Sequence, residues 1–406
     1  MDQVGWLIFL VALLVSVMLH ETGHFIMAKK FGMKCTRYFI GFGPTIWSTW
    51  RGETEYGIKA VPLGGFVKII GMHSLDDVDD PYDELRSFRS QPAWQRIIVL
   101  CAGSFMHFVI AFVLVAGVAM TIGIENENTT QLGTAQSCVP ANNKDLINGV
   151  CGDSTVKSPA LLAGLLAGDQ VIEFDGKPVS NWTQLGNMIK AAPVGSVVSV
   201  TVLRSVSLNG ARSTERLTKE VKLAHVSGRE GAYMGIAATN VFQVVNPVRA
   251  TTWAGSFIGQ ELAGSARAIA DLPAAVPKLF SKDRAQTAGG QVGSVVGAAE
   301  ATGDAVAANV GWQYKVEYVL LLIAALNAFI GAFNMLPLLP LDGGHVAIIV
   351  WERIRAWFNR LRGRPDPGLV DMRKVLPVSF SIFMVVVFFG VMLILADIVN
   401  PVSQLG

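Results

Sequence analysis

The stretch His20-Glu21-Thr22-Gly23-His24 carries the clearest chemistry in the chain. Because a helix turns once in about 3.6 residues, histidines at positions i and i+4 share one face and can bind one zinc ion. The glutamate that follows the first histidine lies close enough to take a proton from water activated by that ion. The pattern predicts a helical zinc site with Glu21 as general base; two unrelated histidines on a buried helix are the alternative.

A zinc site of this kind needs a third protein ligand and an open position. Asp342 is the best candidate, because a lone carboxylate in an apolar stretch needs a partner that zinc would supply. Pro337 and Pro340 are expected to end the preceding helix. Gly343 and Gly344 are expected to give the backbone freedom to turn the carboxylate towards the metal. The alternative is an aspartate that caps the next helix.

Two further histidines are competing ligands. His345 falls just after Asp342, in the predicted next helix. We interpret His345 as a residue that contacts a zinc ligand without binding the ion, or as a residue with a purely structural role. His107 falls inside a long apolar segment, where an imidazole can titrate or bind a metal.

The composition predicts a membrane protein. Of the 406 residues, 51% are hydrophobic and 16% are charged, and the mean hydropathy is +0.44. Four segments reach the length of about 20 apolar residues that a transmembrane helix needs, namely Val4–Ala28, Ile97–Ile124, Tyr318–Leu336 and Leu376–Val399. The net charge of +2, without a basic cluster interleaved with aromatic residues, gives no indication of nucleic-acid binding.

Lysine and arginine are concentrated in two of the loops between these segments. Residues 29–96 and 353–374 are rich in both, whereas neither terminal tail contains any. The positive-inside rule then places both loops in the cytoplasm and both termini outside. We therefore expect a multi-pass protein of the inner (plasma) membrane, with residues 125–315 extracytoplasmic and the zinc site nearer the cytoplasmic face.

The connecting regions also carry structural signals. Short β-like runs separated by glycine and proline occupy residues 37–70, and so apolar a loop beside an embedded site can re-enter the bilayer. Outside, Cys138 and Cys151 are predicted to form a disulfide, with two free thiols as the alternative. The text from Ala163-Gly164-Leu165 to Gly168-Asp169-Gln170-Val171-Ile172 resembles the signature of PDZ domains, which bind peptide ends by strand addition.

Taken together, these motifs resemble those of the bacterial site-2 proteases, intramembrane zinc metalloproteases of the RseP type. The shared motifs are HExGH in a first apolar helix, NxxPxxPLDG at a third, and one PDZ-like stretch between the second and third, as in the actinobacterial branch. The resemblance covers nearly the whole chain. It implies zinc on His20, His24 and Asp342, Glu21 as general base, a re-entrant β-loop around residues 37–70, and substrate contacts by Asn327 and Asn334.

The resemblance also implies a function and partners. Such enzymes make the second cut of regulated intramembrane proteolysis in single-span membrane proteins, such as anti-sigma factors already shortened by a site-1 protease; signal-peptide remnants are a further substrate class. The lipid bilayer is the other expected partner, and nucleic acid is not one. The chain departs from the family at Ser104 and His107, where Pro and Asn are usual. We interpret His107 as a hydrogen-bonded substitute for the asparagine amide.

The expected fold class is an α-helical polytopic membrane protein with four transmembrane helices, a membrane re-entrant β-loop and an extracytoplasmic PDZ domain. The expected order is: transmembrane helix 1 with HExxH (1–31), cytoplasmic segment with the β-loop (32–93), transmembrane helix 2 (94–124), extracytoplasmic linker (125–154), PDZ domain (155–240), extracytoplasmic amphipathic segment (241–315), transmembrane helix 3 (316–337), LDG motif with a basic cytoplasmic loop (338–375), transmembrane helix 4 (376–400) and tail (401–406).

Two functions of other classes remain as alternatives. A zinc-dependent membrane transporter would more often show internal repeats and broken helices in both halves, and no such repeat is visible. An inactive substrate-binding scaffold would most simply lack Glu21, which is present.

Overall fold

Apolar helices alternate along the chain with β-rich segments in this computed structural model. It describes every residue except 1–2, 73–75, 77, 79, 126–128, 143–144, 147–149, 209–210, 240–241, 276, 278, 281–292, 309–310 and 400–406. The described elements are, in order, α1 (Gln3–Lys30), β1 (Cys35–Arg51), β2 (Thr54–Ile69), α2 (Pro81–Leu85), α3 (Ala93–Thr121), β3 (Ile124–Glu125), β4 (Leu132–Ala135), α4 (Pro159–Leu162), β5 (Gln170–Phe174), β6 (Lys177–Pro178), α5 (Trp182–Ala191), β7 (Val197–Leu208), β8 (Ala211–Lys222), β9 (Ile236–Ala238), β10 (Phe242–Gln243), α6 (Pro247–Ala275), α7 (Val295–Ala307), α8 (Trp312–Asn334), α9 (Asp342–Leu361) and α10 (Met372–Val399).

These elements form two units, Met1–Met120 with Asn246–Leu405 and Thr121–Val245. In the first unit, α1, α3, α8 and α10 are long and apolar enough to cross a membrane. A helix satisfies all its backbone groups internally, which is why such segments are helical in lipid. The chain is a multi-pass membrane protein. The third of these helices begins at Trp312, earlier than the expected boundary at residue 316.

Strands β1 and β2 build a small antiparallel sheet beside α1. Both strands bend back, so residues 37–40 of β1 pair with residues 55–58 of β2 on one side and with residues 65–68 on the other. The end of β1, residues 47–51, then pairs with residues 54–58. The segment 65–68 therefore forms one edge of this sheet in the described pairing.

Helix α1 packs on other helices of the first unit in two places along its length. At its C-terminal end, Ala28 joins a buried cluster that includes Val99 and Leu100 of α3 and Ile349 of α9. Near its N-terminal end, Ala12 packs on a second cluster formed by Ala305 of α7 with residues of α8. The sequence did not predict α7, because its contact surface consists of small residues that leave no hydrophobic period.

The second unit has its own hydrophobic core. Its sheet has the strand order β6-β5-β7-β8, and in the long hairpin twelve residues of β7 pair with twelve residues of β8. Val171, Val200 and Val202 of this sheet are buried against Leu185 of α5. A disulfide bond joins Cys138 to Cys151, whose Cα atoms are 5.8 Å apart.

An ion cluster ties the β1–β2 turn to the helices of the first unit. Arg86 donates from Nη1 and Nη2 to the two carboxylate oxygens of Glu53 at 2.7 and 2.8 Å, and Lys29 donates from Nζ at 2.6 Å. Such paired, charge-assisted hydrogen bonds favour the ionised carboxylate. The Arg86 hydrogen bonds, assisted by Lys29, lower the pKa of Glu53 to about 2 in spite of partial burial.

We predict that Glu53→Gln lowers the free energy of unfolding by about 1–2 kcal/mol at neutral pH, visible as a lower Tm in detergent. Because the folded-state pKa lies below the ordinary 4.5, this stabilisation is present above pH 4.5 and is lost as pH falls towards 2. The Tm difference between wild type and variant should therefore shrink from about pH 5 to about pH 3.

Glu55→Gln is the matched control, because Glu55 has a longer ion pair, 3.4 Å, to the largely exposed Arg37. It should change Tm less. Equal losses in the two variants would contradict the role given to the Glu53 cluster.

Candidate metal centre

His20 and His24 lie one turn apart on α1, both buried, with their Nε2 atoms 3.0 Å from each other. The Nδ1 atom of His24 lies 2.7 Å from the backbone carbonyl oxygen of Val99. Since a carbonyl oxygen only accepts, Nδ1 carries the proton and donates it. The Nε2 atom of His24 therefore presents a lone pair to the centre, as a metal ligand must.

Asp342 brings a third ligand atom to the same point. It is the first residue of α9, and its Oδ2 atom lies 3.3 Å from Nε2 of His20 and 3.4 Å from Nε2 of His24. This oxygen is buried, and nothing in the described part of the chain donates a hydrogen bond to it. A carboxylate oxygen and an imidazole lone pair that face each other repel unless a cation lies between them.

The geometry of these atoms fits zinc. Zinc ligands lie about 2.0–2.1 Å from the ion in a tetrahedron, which sets ligand atoms about 3.3 Å apart. The three observed separations, 3.0, 3.3 and 3.4 Å, match that value. Two imidazoles and one carboxylate are also the ligand set of catalytic zinc sites that keep one position open.

Three glycines allow the ligand-bearing segments to approach so closely. A Cβ atom on Gly103 of α3 would lie 2.2 Å from Nε2 of His24 and 2.7 Å from Cε1 of His20. At the start of α9, a Cβ on Gly343 would lie 2.3 Å from the Met335 backbone, and Gly344 is equally crowded. Neither of these two has a positive φ. The expectation that they supply conformational freedom is wrong; they permit close packing.

Glu21 follows His20 and contacts the β-sheet. Its Oε2 atom accepts a hydrogen bond of 3.1 Å from the backbone N–H of Val67. Val67 lies on the edge segment 65–68, so this N–H points away from the sheet and towards α1. A backbone donor of this kind holds the carboxylate of Glu21 in one position next to the ligand pair.

His107 and Asn327 form a buried pair beside the centre. The Asn327 Oδ1 atom accepts a 2.8 Å hydrogen bond from Nδ1 of His107, and its Nδ2 donates to the carbonyl of Ile323, also at 2.8 Å. The rings of His107 and His20 lie 5.0 Å apart, centroid to centroid. His107 is therefore a neighbour of the three convergent residues and is not among them.

Two further predicted site residues are Asn334 and His345. Asn334 is the last residue of α8 and is half-buried. His345 is half-buried and lines a cavity that also contains Arg96 and Glu352. Neither belongs to the described group whose ligand atoms converge.

Sequence reasoning missed the groups that orient the ligands. The Val99 carbonyl and the Val67 N–H are backbone atoms, and any residue type supplies them. For Gly103 the sequence offers one indication of close packing, namely a residue without a side chain within an apolar helix. Each of these contacts joins residues far apart in the chain, and such pairs leave no local pattern.

Comparison with known proteins shows the family to which the chain belongs. Residues 8–364 match peptidase family M50, and the chain belongs to that family. It is similar to the zinc metalloprotease Rip1 of Mycobacterium tuberculosis, with 35% identity over 412 residues that cover 98% of each chain. Rip1 of Mycolicibacterium smegmatis is 34% identical over 429 residues, which cover 99% of each chain. The protein is an intramembrane zinc metalloprotease.

We predict that Gly103→Ala displaces the two imidazoles and prevents zinc binding, because its Cβ would lie within 2.2 Å of a ligand nitrogen. Metal analysis of the purified protein should fall from about one zinc per chain to well below half. Proteolytic activity should fall in parallel.

Gly117→Ala in the same helix is the matched control, since a Cβ there meets nothing within 4 Å. It should keep both zinc and activity. A Gly103→Ala protein with full zinc content would contradict the close approach of α3 to the ligands.

Proposed function

We propose that His20, His24 and Asp342 hold the zinc and that Glu21 is the general base of peptide-bond hydrolysis within the bilayer. The convergence of the three ligand atoms carries the proposal. Zinc supplies Lewis-acid activation of water and of the scissile carbonyl. Glu21 takes the proton from water and passes it to the leaving amine, while the Val67 N–H orients the Glu21 carboxylate.

We further propose that the substrates are single-span membrane proteins, such as anti-sigma factors trimmed by a first protease, and that this enzyme makes the second cut. Signal-peptide remnants, which are also short apolar membrane segments, are a further proposed substrate class. A helical substrate hides its amides in hydrogen bonds and must unwind before attack. The edge segment 65–68 of the proposed re-entrant β-loop can pair with the unwound backbone by strand addition.

Asn327 and Asn334 remain proposed substrate contacts, and they differ in how accessible their side chains are. Both polar atoms of the Asn327 side chain already have protein partners, His107 and Ile323. The Asn327 side chain is also fully buried, so a substrate contact with it requires neighbouring groups to move aside. Asn334, half-buried at the end of α8, requires no such displacement.

We predict that Glu21→Gln keeps its zinc but loses about 10²–10⁴-fold in the rate of cleavage of a designed transmembrane peptide. The amide has nearly the same shape as the carboxylate but cannot accept the proton. Zinc content and cleavage rate are measured on the same purified protein.

His20→Ala, His24→Ala and Asp342→Ala serve as the comparison set, and each should lose zinc together with activity. Full activity in Glu21→Gln would refute the catalytic role. Full zinc occupancy in Asp342→Ala would refute the ligand role.

Residues 155–240 are proposed to be a PDZ domain that lies outside the cell. Its four-stranded sheet with two short helices and its separate core support a domain that folds as a unit. The orientation, with basic loops inside and both termini outside, rests on the distribution of lysine and arginine. The chain enters this domain from α3 and leaves it towards α6, so the domain is attached to the catalytic unit at both ends.

This attachment makes the domain a size filter in our proposal. A filter of this kind excludes a substrate with a bulky ectodomain and admits a trimmed stub. The rival role is a receptor that captures the newly made C-terminus in its groove. Only the receptor needs a specific peptide contact.

Deleting Pro159–Ile236 with a short linker distinguishes the two roles. For a filter, we predict that the enzyme then cuts intact substrates about as fast as trimmed ones, because the steric barrier is gone. For a receptor, cleavage of trimmed substrates should fall sharply. Gel-based cleavage of both substrates by zinc-loaded protein provides the measurement, and unchanged discrimination would exclude both roles.

A further inference from the structure

Helix α9, which begins with Asp342, is held at the membrane surface by its neighbours. The apolar helix α8 ends at Asn334, and the apolar helix α10 begins at Met372. Only residues 335–341 and 362–371 connect them to α9. At no more than about 3.5 Å per residue, the first connection keeps Asp342 within about 25 Å of the end of α8. A hydrogen bond from the Val370 N–H to Glu352 holds the second connection against α9.

One face of α9 is fixed against the protein. Ile349 belongs to the buried cluster with Val99 and Leu100 of α3. Glu352 is buried and pairs with Arg96 of α3, with 3.2 Å between its Oε2 and Nη2 of Arg96. Its Oε1 accepts a 2.9 Å hydrogen bond from the Val370 N–H. These contacts set the rotation of α9 about its axis, and with it the direction of the opposite face.

The opposite face is apolar, aromatic and exposed. At 100° per residue its members fall within a stripe about 120° wide. Trp357 is 56% exposed, Trp351 55% and Leu361 65%. The stripe, called here the aromatic stripe, consists of Val350, Trp351, Ile354, Trp357, Phe358 and Leu361. So large an exposed apolar surface marks an interaction site.

Cations border the aromatic stripe. Arg353 and Arg360 are exposed along one side of it. On the other side, Arg355 donates from Nη2 to the carbonyl of Gly368 at 2.9 Å. The connection to α10 adds Arg362 and Arg364, and the first turn of α10 adds Arg373 and Lys374. The one acidic residue within α9 after Asp342 is Glu352, which is buried and paired with Arg96.

We propose that α9 is an interfacial helix that inserts its aromatic stripe into the adjoining leaflet and binds anionic lipid headgroups through Arg353 and Arg360. Tryptophan is favoured at the membrane–water interface, and a basic amphipathic helix binds anionic lipid through its arginines. A positively bordered stripe does not complement a second copy of itself. Because Asp342 is the first residue of α9, the docked lipid holds the helix that carries the proposed third zinc ligand.

The test uses full-length zinc-loaded protein with Ile354→Cys, carrying a fluorophore, in nanodiscs with one chain each. The discs contain phosphatidylcholine alone or with about 30 mol % phosphatidylglycerol. Quenching by lipids that carry nitroxides reports insertion, and quenching by aqueous iodide reports exposure. The unsubstituted chain, labelled in parallel, gives the background from Cys35 and Cys101.

We predict that phosphatidylglycerol increases quenching by the lipid nitroxides and decreases quenching by iodide. Each arginine contributes about fivefold to the ratio of docked to undocked helix, the equivalent of about 1 kcal/mol. Arg353→Gln with Arg360→Gln should therefore lower this ratio about 25-fold in the anionic discs. Lys190→Gln with Arg249→Gln, which removes two exposed cations elsewhere, should leave it unchanged.

Three outcomes would overturn the proposal. If iodide quenches the label equally in both lipids, and as strongly as it quenches the free fluorophore in solution, the stripe stays in water. An undiminished response to phosphatidylglycerol in the arginine variant, with its zinc content intact, would remove the headgroup contact. Protection of the label only in discs loaded with two chains would make the stripe a contact between copies.

Discussion

Three candidate ligand atoms in an apolar surrounding face one another at the separation expected of zinc ligands, and the packing of the first unit around them depends on this constraint. A carboxylate oxygen and imidazole lone pairs cannot stay together inside low-dielectric protein without a cation. The scaffold must therefore hold them in place and admit the ion. The Val99 carbonyl, the close approach at Gly103 and the Glu352–Arg96 pair hold these atoms in place.

The three candidate ligands lie on two helices, α1 and α9, and a third helix, α3, packs against them, which makes the site a property of the assembled unit. Helix α1 sets the spacing of His20 and His24, and the carbonyl of Val99 fixes the tautomer of His24. Helix α3 approaches closely because Gly103 has no side chain. Asp342 arrives on α9, whose position depends on the buried pair of Glu352 with Arg96. Removing one charge of a buried pair leaves the other uncompensated, so such a pair strongly favours one arrangement.

The second unit depends on a different force. Its sheet and helix α5 enclose a separate apolar core. The four membrane helices instead present apolar surface outwards, as lipid requires. Water and lipid thus act on different parts of one chain. Water favours an enclosed core, to which Val198, Val200 and Val202 contribute from one face of β7, while the bilayer favours continuous apolar helices.

Much of this could be read from local sequence, because local spacing determines it. Two histidines four residues apart share a helix face in any helix, and a run of apolar residues long enough to cross a bilayer has no other stable conformation there. The four apolar helices and the membership of the zinc metalloprotease family follow from such patterns. The proposed roles of Glu21 and the ligand residues came from the same patterns and remain proposals.

Only the tertiary structure decided which distant groups meet. The hydrogen bond from the Val67 N–H to Glu21, the His107–Asn327 pair and the folded-back order of the β1–β2 sheet all join segments whose sequences show no mutual signal. The sequence did not indicate helix α7, because small residues pack closely without a hydrophobic period. The physical reason is common to all of them: whether two remote segments meet depends on how the whole chain packs, and the local spacing of residues carries no information about that.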